Sequence, residues 1–444
     1  MTTFSIYLNA IWSCLVQSFL DFTGRSRSSI YLFIYAEMPT QMGKTARLLM
    51  IIAVMMSSAI VDKTEGLSLD VSEILRKGDS IKCPLTQDCD ETKLPESTYD
   101  KYYKTDKSSW ESLGLDPDLL HINEISVGFV PAFREKKNAN SPAEINKKLF
   151  KPMAIVGDYI SLSSAWDPDL KAIDWHVPII KDLDGNPVWC LALMPSEGLD
   201  MITEKFARKI AHKLKEVNEL GITTWIRFGH EMNGRWYAKW GMQPNKFKEK
   251  WHLLAKEIKS VTNRSYMVWS PNARFGDSVD DVRGGYSPYF PEVWSVDIVG
   301  ISFYHWGNGP IRTNMKPTQE EAITKLYEFA KIYGPGGWNF PVIIAETAAC
   351  YTTYPGTYQS VGGGASELSI KMTWLHLLLD RYIKQLIPGL KAVIWFEIDK
   401  IETAPETGEQ REEDFRLILG NPEVSRAVHQ LFDSYHSKEL AERS

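Results

Sequence analysis

Two glutamates carry the strongest chemical signal in the chain. Glu231 follows the apolar run TTWIRFGH (223–230), and Glu346 closes the run PVIIAE (341–346). One carboxyl that protonates a leaving oxygen and a second that attacks or activates water are what glycoside hydrolysis needs. A lone glutamate in such a place is as readily a solvated loop charge; two facing one cleft are harder to explain that way. His230-Glu231 also opens like a zinc-protease helix, but the fifth residue of HEMNG is Gly234, not histidine, and the pair follows a strand. Gly43-Lys44-Thr45 looks like the end of a phosphate loop, yet Met38 stands where its first glycine belongs. Both of these readings fail.

The elements that must position the two carboxyls are short apolar, β-branched runs. They recur at 125–133, 153–160, 187–194, 223–230, 266–271, 296–304, 341–346 and 390–397, with starts 28–49 residues apart. Near-continuous hydrophobicity, without alternation, marks strands buried on both faces. Between most of them lie amphipathic helices. Ser141-Pro142-Ala143-Glu144 and Thr318-Gln319-Glu320-Glu321 are capping boxes, and Asn421-Pro422 joins a cap to proline at the first helical position. Phe206, Ile210, Leu214 and Val217 line one helix face ahead of Gly221; Phe247, Trp251, Leu254 and Ile258 line another. The segment between the second and third runs shows no helix pattern, so one crossover reads as irregular.

Eight such strands predict a (β/α)8 barrel over 121–438. A doubly wound open sheet is the rival, but the chain has no G-x-G-x-x-G turn. In a barrel the chemistry sits at the C-terminal ends of the strands, where both glutamates fall.

Composition bounds the rest. The 444 residues are 44% apolar and 24% charged, with a net charge of −6, which suits a folded chain large enough for a substantial core. Mild acidity argues against nucleic acid or an anionic membrane surface as a partner. Five cysteines are too few for a disulfide framework, and no spacing suggests zinc. Tryptophan is frequent, at 15 residues, and exposed tryptophan grips the apolar faces of sugars.

The N-terminal segment 42–59 has the layout of a signal peptide: Lys44 and Arg47, an apolar stretch from Leu48 to Met56, then Ser57-Ser58-Ala59. The apolar stretch is short of the roughly 20 residues a membrane span requires. The expectation is a secreted, extracellular protein beginning near Ile60, with Met42 as the true start and 1–41 an upstream extension. Residues 60–120 form an N-terminal extension in which Cys83 and Cys89 could close a small loop. Cys190, in an apolar run, reads as a buried thiol, and Asn263-Arg264-Ser265 is a glycosylation sequon.

The motif RFGHEMNGRWYAKWG (227–241) resembles the acid/base segment of glycoside hydrolase family 26, mostly endo-β-1,4-mannanases. YSPYFPEVWSVDIVGISFYHWG (286–307) resembles that family's approach to the sixth strand, and VIIAETA (342–348) its nucleophile segment. The resemblance covers about 120–435. It implies Glu231 as general acid/base, Glu346 as nucleophile, His230 as the neighbour orienting Glu231, and Tyr304 in contact with Glu346. Trp236 and Trp395 would be sugar platforms. It also implies retention of configuration, for which the two carboxyls should lie about 5–5.5 Å apart. Phe228-Gly229, Ala238-Lys239 and Thr347-Ala348 depart from the family pattern near the cleft, and the family also includes enzymes acting on β-1,3/1,4-glucans and β-1,3-xylans. No metal or cofactor is expected, and the partner is a polysaccharide bound by a monomer.

Other positions carry two readings each. Arg227 could reach the cleft or pair with a carboxylate inside the barrel, and Asn233 could meet a sugar hydroxyl or cap a turn. Asp297 opens the sixth strand at the stability face, while His305 and Trp306 could line the cleft. Glu397 could face the site without acting in catalysis. The acidic run 402–414 reads as a solvated loop. Against the enzyme reading stands a carbohydrate-binding barrel without turnover.

Overall fold

A computed structural model describes residues 113–133, 141–274, 285–308, 312–403 and 408–443, all within the unit Leu94–Ser444. The signal segment, the Cys83–Cys89 loop and the upstream extension lie outside the described residues.

The eight predicted runs form eight parallel strands. They are β2 (Ile125–Val130), β3 (Ile155–Leu162), β4 (Val188–Pro195), β5 (Thr224–Ile226), β6 (Ser265–Trp269), β7 (Ile298–Ser302), β8 (Val342–Thr347) and β10 (Leu390–Phe396). A two-residue strand, β1 (His121–Ile122), pairs antiparallel with β2 at the entry. Each strand pairs with its successor, and pairing of β10 with β2 closes the ring. The fold is a (β/α)8 barrel. Closure leaves no sheet edge, and the helices bury the outer face, which is why the strands are mostly apolar.

Helices α1 (Pro142–Lys147), α2 (Lys171–Lys181), α3 (Glu204–Glu219), α4 (Pro244–Val261) and α5 (Gln319–Tyr333) fill crossovers. Further helices are α6 (Glu367–Leu379), α7 (Arg381–Leu386) and α8 (Pro422–Arg443). The capping box at Ser141 and Glu144 forms at α1, and Thr318 caps α5. On α3 and α4 the buried residues include those the periodicity selects.

Two expectations on the elements are corrected. The second crossover is a true helix, α2, burying Ile173, His176 and Ile180. Its start is unreadable because Leu170, in the left-handed region, stands at the cap position while the first N–H groups bond Asp167 three residues earlier, and Pro178 interrupts the helix. The acidic run is no solvated loop: β11 (Asp399–Thr403) pairs with β12 (Gln410–Asp414), and β12 with β9 (Tyr351–Thr353). Strand alternation turns Arg411 and Glu413 inward and leaves Glu412 facing out, so two of the four charged side chains of β12 are buried.

Candidate active site

Glu231 sits where the fourth strand ends. Beyond β5 the chain keeps bonding to its neighbour, with Arg227 N–H on the Leu191 carbonyl at 2.8 Å and Gly229 N–H on that of Leu193 at 2.9 Å. Both Gly229 (φ +53°) and Glu231 (φ +54°) are left-handed, so the backbone turns sharply and lifts the carboxyl over the barrel mouth. A left-handed glutamate is strained by roughly 1–3 kcal/mol, the kind of outlier found at functional sites. Asn272, beyond β6, donates to Glu231 Oε1 at 2.9 Å, and Trp236 Nε1 donates to Oε2 at 2.6 Å. Asn233 and Asn272 lock each other through two bonds at 2.8 and 2.9 Å. Asn233 thus braces the residue that holds Glu231.

Glu346 sits on β8 at a bulge. Against β7 the register steps from Ile301–Ile344 to Ser302–Glu346, and against β10 from Val393–Ile344 to Trp395–Thr347. Both neighbours place one extra residue in β8 just at the carboxylate, a device that re-aims a side chain. Arg227 Nη1 donates to Glu346 Oε2 at 2.8 Å, while Nη2 holds Ser270 and Ser302 at 3.2 and 3.0 Å. The Tyr304 hydroxyl donates to Glu346 Oε1. Arg227 therefore has the role of a barrel-interior partner.

These contacts separate the proton affinities of the two carboxyls. Burial would raise Glu346, but the Arg227 charge opposes it and, with the Tyr304 bond, brings its pKa down to about 2. Glu231 is raised instead, first by burial and then by the negative charge of Glu346, against the bonds from Asn272 and Trp236. Opposite shifts in neighbouring buried carboxyls are the pattern that can separate a proton donor from an anion. Burial and the Arg227 charge also drop His230 to about 3, keeping that imidazole neutral.

The expected site residues divide. Glu231, Glu346, Tyr304 and Trp236 meet at the mouth, and Trp236 is 42% exposed. Its ring lies over Gly234, where an added Cβ would come within 2.2 Å of it. His230 lies beside them, but its Nε2 pairs with the Tyr237 hydroxyl at 3.0 Å. Orientation of Glu231 falls to Asn272 and Trp236 instead.

Trp395 does not join the site. It is 1% exposed, and its indole donates to the Phe415 carbonyl at 2.7 Å. Paired strand residues share a face, and its partner Thr347 bonds Trp374 of α6 at 2.9 Å, so Trp395 points into the helical layer. The next residue, Phe396, faces inward toward Tyr159 and Tyr304, at 6.4 and 6.0 Å between ring centroids.

His305 is also structural, bonded to Glu321 of α5 and the Met315 carbonyl. Trp306 lies beside Tyr304, its ring tilted 34° to it, under the Arg312 guanidinium at 3.9 Å from the ring centre. Asp297 accepts from Lys259 and the Met267 N–H, a structural role. Buried Glu397 accepts three backbone N–H bonds at 2.8 Å from Leu417, Ile418 and Leu419 and pins that loop. Tyr159, Ser270, Asn272, Ser302 and Phe396 escaped the sequence reading. The legible signal was a polar residue interrupting an apolar strand end, as Ser270 and Ser302 do.

Among the described residues no helix is long and apolar enough to cross a membrane, and no group of three or more His, Cys, Asp or Glu could hold a metal ion.

Glycosyl hydrolase family 26 matches residues 134–359, just over half the chain. The chain belongs to that family. That family is one of glycosyl hydrolases. No curated protein matches this chain. Among solved structures it is similar to the GH26-CBM35 β-(1,4)-mannanase of Podospora anserina, at 16% identity and a TM-score of 0.36, with 63% of each chain covered. It is also similar to a fungal β-1,4-galactanase (10% identity, 61% of this chain and 88% of the other, TM-score 0.42). A third is a Thermotoga maritima β-glucosidase (12% identity, 57% and 75%, TM-score 0.38).

Proposed function

We propose that the family 26 protein cleaves internal bonds of a β-linked polysaccharide, β-1,4-mannan, with retention of configuration. The observation that carries this is the Arg227–Glu346–Tyr304 arrangement, which favours the ionised form of one buried carboxylate beside another whose proton affinity burial raises. Glu346 attacks the anomeric carbon as Glu231 gives its proton to the departing oxygen, leaving a glycosyl ester on Glu346. With Glu346 esterified its charge is gone, so the proton affinity of Glu231 falls and it becomes a base. Water then loses a proton to Glu231 and bonds the anomeric carbon as the ester bond to Glu346 breaks, releasing the sugar and returning Glu346 to its anionic form. Trp236, half open to solvent and bonded to Glu231, supports a sugar stacked next to the scissile bond.

The substrate proposal rests on the motif resemblance and is tested by release of reducing ends from mannan, mixed-linkage glucan, xylan and laminarin. Activity on mannan alone supports it; preference for another glycan replaces mannan; binding without turnover on all four favours a carbohydrate-binding barrel. Proton NMR of the first-formed product tests the stereochemistry, and an inverted anomer removes Glu346 as nucleophile. We propose further that the protein is secreted as a monomer from a signal peptide ending near Ala59. N-terminal sequencing that finds residues before Met42 overturns that start.

A further inference from the structure

We infer that Trp166 is a remote aromatic platform for the glycan, on the second-strand loop; this rests on the polysaccharide reading above. The loop 163–170 follows β3 and so lies at the end of the barrel that carries Glu231 and Glu346. Trp166 is 91% exposed, more than any other large apolar side chain among the described residues. Solvent-facing apolar area of that size contributes nothing to the core, yet the loop that presents it is braced from three sides.

From the third strand's loop, Glu197 accepts from the Ser163 hydroxyl, the Ser164 hydroxyl at 2.8 Å and the Ala165 N–H at 3.1 Å. The Trp166 N–H itself donates to Ser163 Oγ at 2.8 Å. On the far side Asp167 accepts the Lys171 and Ala172 N–H groups at 2.8 and 2.9 Å, tying the loop to the start of α2. Lys209 of α3 reaches the Pro168 carbonyl at 3.1 Å. The loop ends at Leu170, left-handed at φ +59° with its side chain buried, so its shape is held against local strain. A tryptophan on a mobile loop would cost backbone entropy on binding; here the backbone that presents the ring is already ordered.

The same contacts make a continuous rim. Gly198, next to Glu197, lies near the Lys239 carbonyl, 3.6 Å from where its Cβ would stand. Lys239 belongs to the loop that carries Trp236. Loops of the second, third and fourth strands therefore run unbroken from Trp166 to Trp236. Adjacent strands are about 4.8 Å apart, which sets the Trp166 loop roughly 10 Å round the wall from that of Glu231, beyond the sugars at the cleavage point. A pyranose laid on Trp166 is gripped by its apolar face, so the platform favours chain length and not a particular hydroxyl pattern.

The test compares wild type, Trp166→Ala and Trp166→Tyr on polymeric mannan and on short manno-oligosaccharides, or on the glycan the substrate panel selects. We expect KM for the polymer to rise by about tenfold in Trp166→Ala with little change in kcat. The polymer-to-oligosaccharide ratio of kcat/KM falls accordingly, and tyrosine restores most of it. A ratio the alanine variant leaves unaltered overturns the platform while the hydrolase reading stands. If wild type hydrolyses none of the four glycans, that reading fails instead, and affinity electrophoresis in the same glycans decides the platform. Weaker retardation of Trp166→Ala supports it; equal retardation, or none for wild type, overturns it.

Discussion

Arg227 of the fourth strand donates from Nη1 to Oε2 of Glu346 on the seventh at 2.8 Å, and both groups are buried. The bond crosses the barrel mouth between residues 119 positions apart in sequence. It makes the carboxylate available as an anion in a place where burial alone would protonate it.

Replacing Arg227 with methionine leaves Glu346 buried without its counter-charge. The pKa of Glu346 then rises from about 2, and the acidic limb of kcat/KM moves to higher pH. Loss of one partner of a buried pair also destabilises by roughly 3–5 kcal/mol. Because the folded pKa lies below the ordinary 4.5, this pair stabilises above that value and its contribution is lost as pH falls toward about 2. The variant should therefore lose part of the wild type's acid-side stability slope. pH–rate profiles and thermal melts across pH 2–6 check both; an unmoved acidic limb refutes the assignment.

The two carboxyls are coupled, which gives a titration test. In Glu346→Gln the negative charge beside Glu231 disappears, so the Glu231 pKa falls, while burial still keeps it above an exposed glutamate. Carbon-13 NMR of the side-chain carboxyl reads the shift directly. A value unchanged from wild type means that the two groups do not sense each other. The converse variant, Glu231→Gln, should still form the glycosyl ester from aryl glycosides with good leaving groups, which need no proton, and show a burst.

Asn272 tests how Glu231 is oriented. Asparagine-to-alanine there removes the donor to Oε1 and the brace shared with Asn233. The lost bond favours the ionised form, so the Glu231 pKa rises further and its service as a base suffers most. We expect kcat to fall by roughly tenfold to a hundredfold, with accumulation of the ester intermediate. A rise in KM alone, with kcat kept, would place Asn272 on the substrate instead.

Trp395 and Phe396 make a paired prediction from strand parity. Trp395→Ala empties space between barrel and helices and should cost about 3–5 kcal/mol, read as a lower Tm. Phe396→Ala faces the mouth and should raise KM on the glycan with a smaller loss of stability. The opposite pattern reverses the orientation of β10.

Much of this molecule was legible in its sequence because the relevant forces are local and periodic. Strands buried on both faces must be continuously apolar, so the eight runs and both strand-end glutamates could be read without a structure. The caps at Ser141 and Thr318 were equally legible, being contacts between residues three apart. Helix α2 was not, since its start depends on Leu170 being buried in a left-handed conformation that only tertiary packing secures. The β11–β12 charges looked solvated because their inward partners, Arg312 among them, come from elsewhere in the chain.

At the site the division is finer. Residue types determined which groups could give up a proton, attack or stack on a sugar. Tertiary structure decided which of them face the mouth and in what protonation state. A one-residue change of parity sends Trp395 out and Phe396 in, and the bulge at Glu346 sets the local register of β8 against its neighbours. The proton affinities of Glu231 and Glu346 depend on burial and on a guanidinium delivered from across the barrel. Those are distances between parts of the chain that the order of residues does not contain.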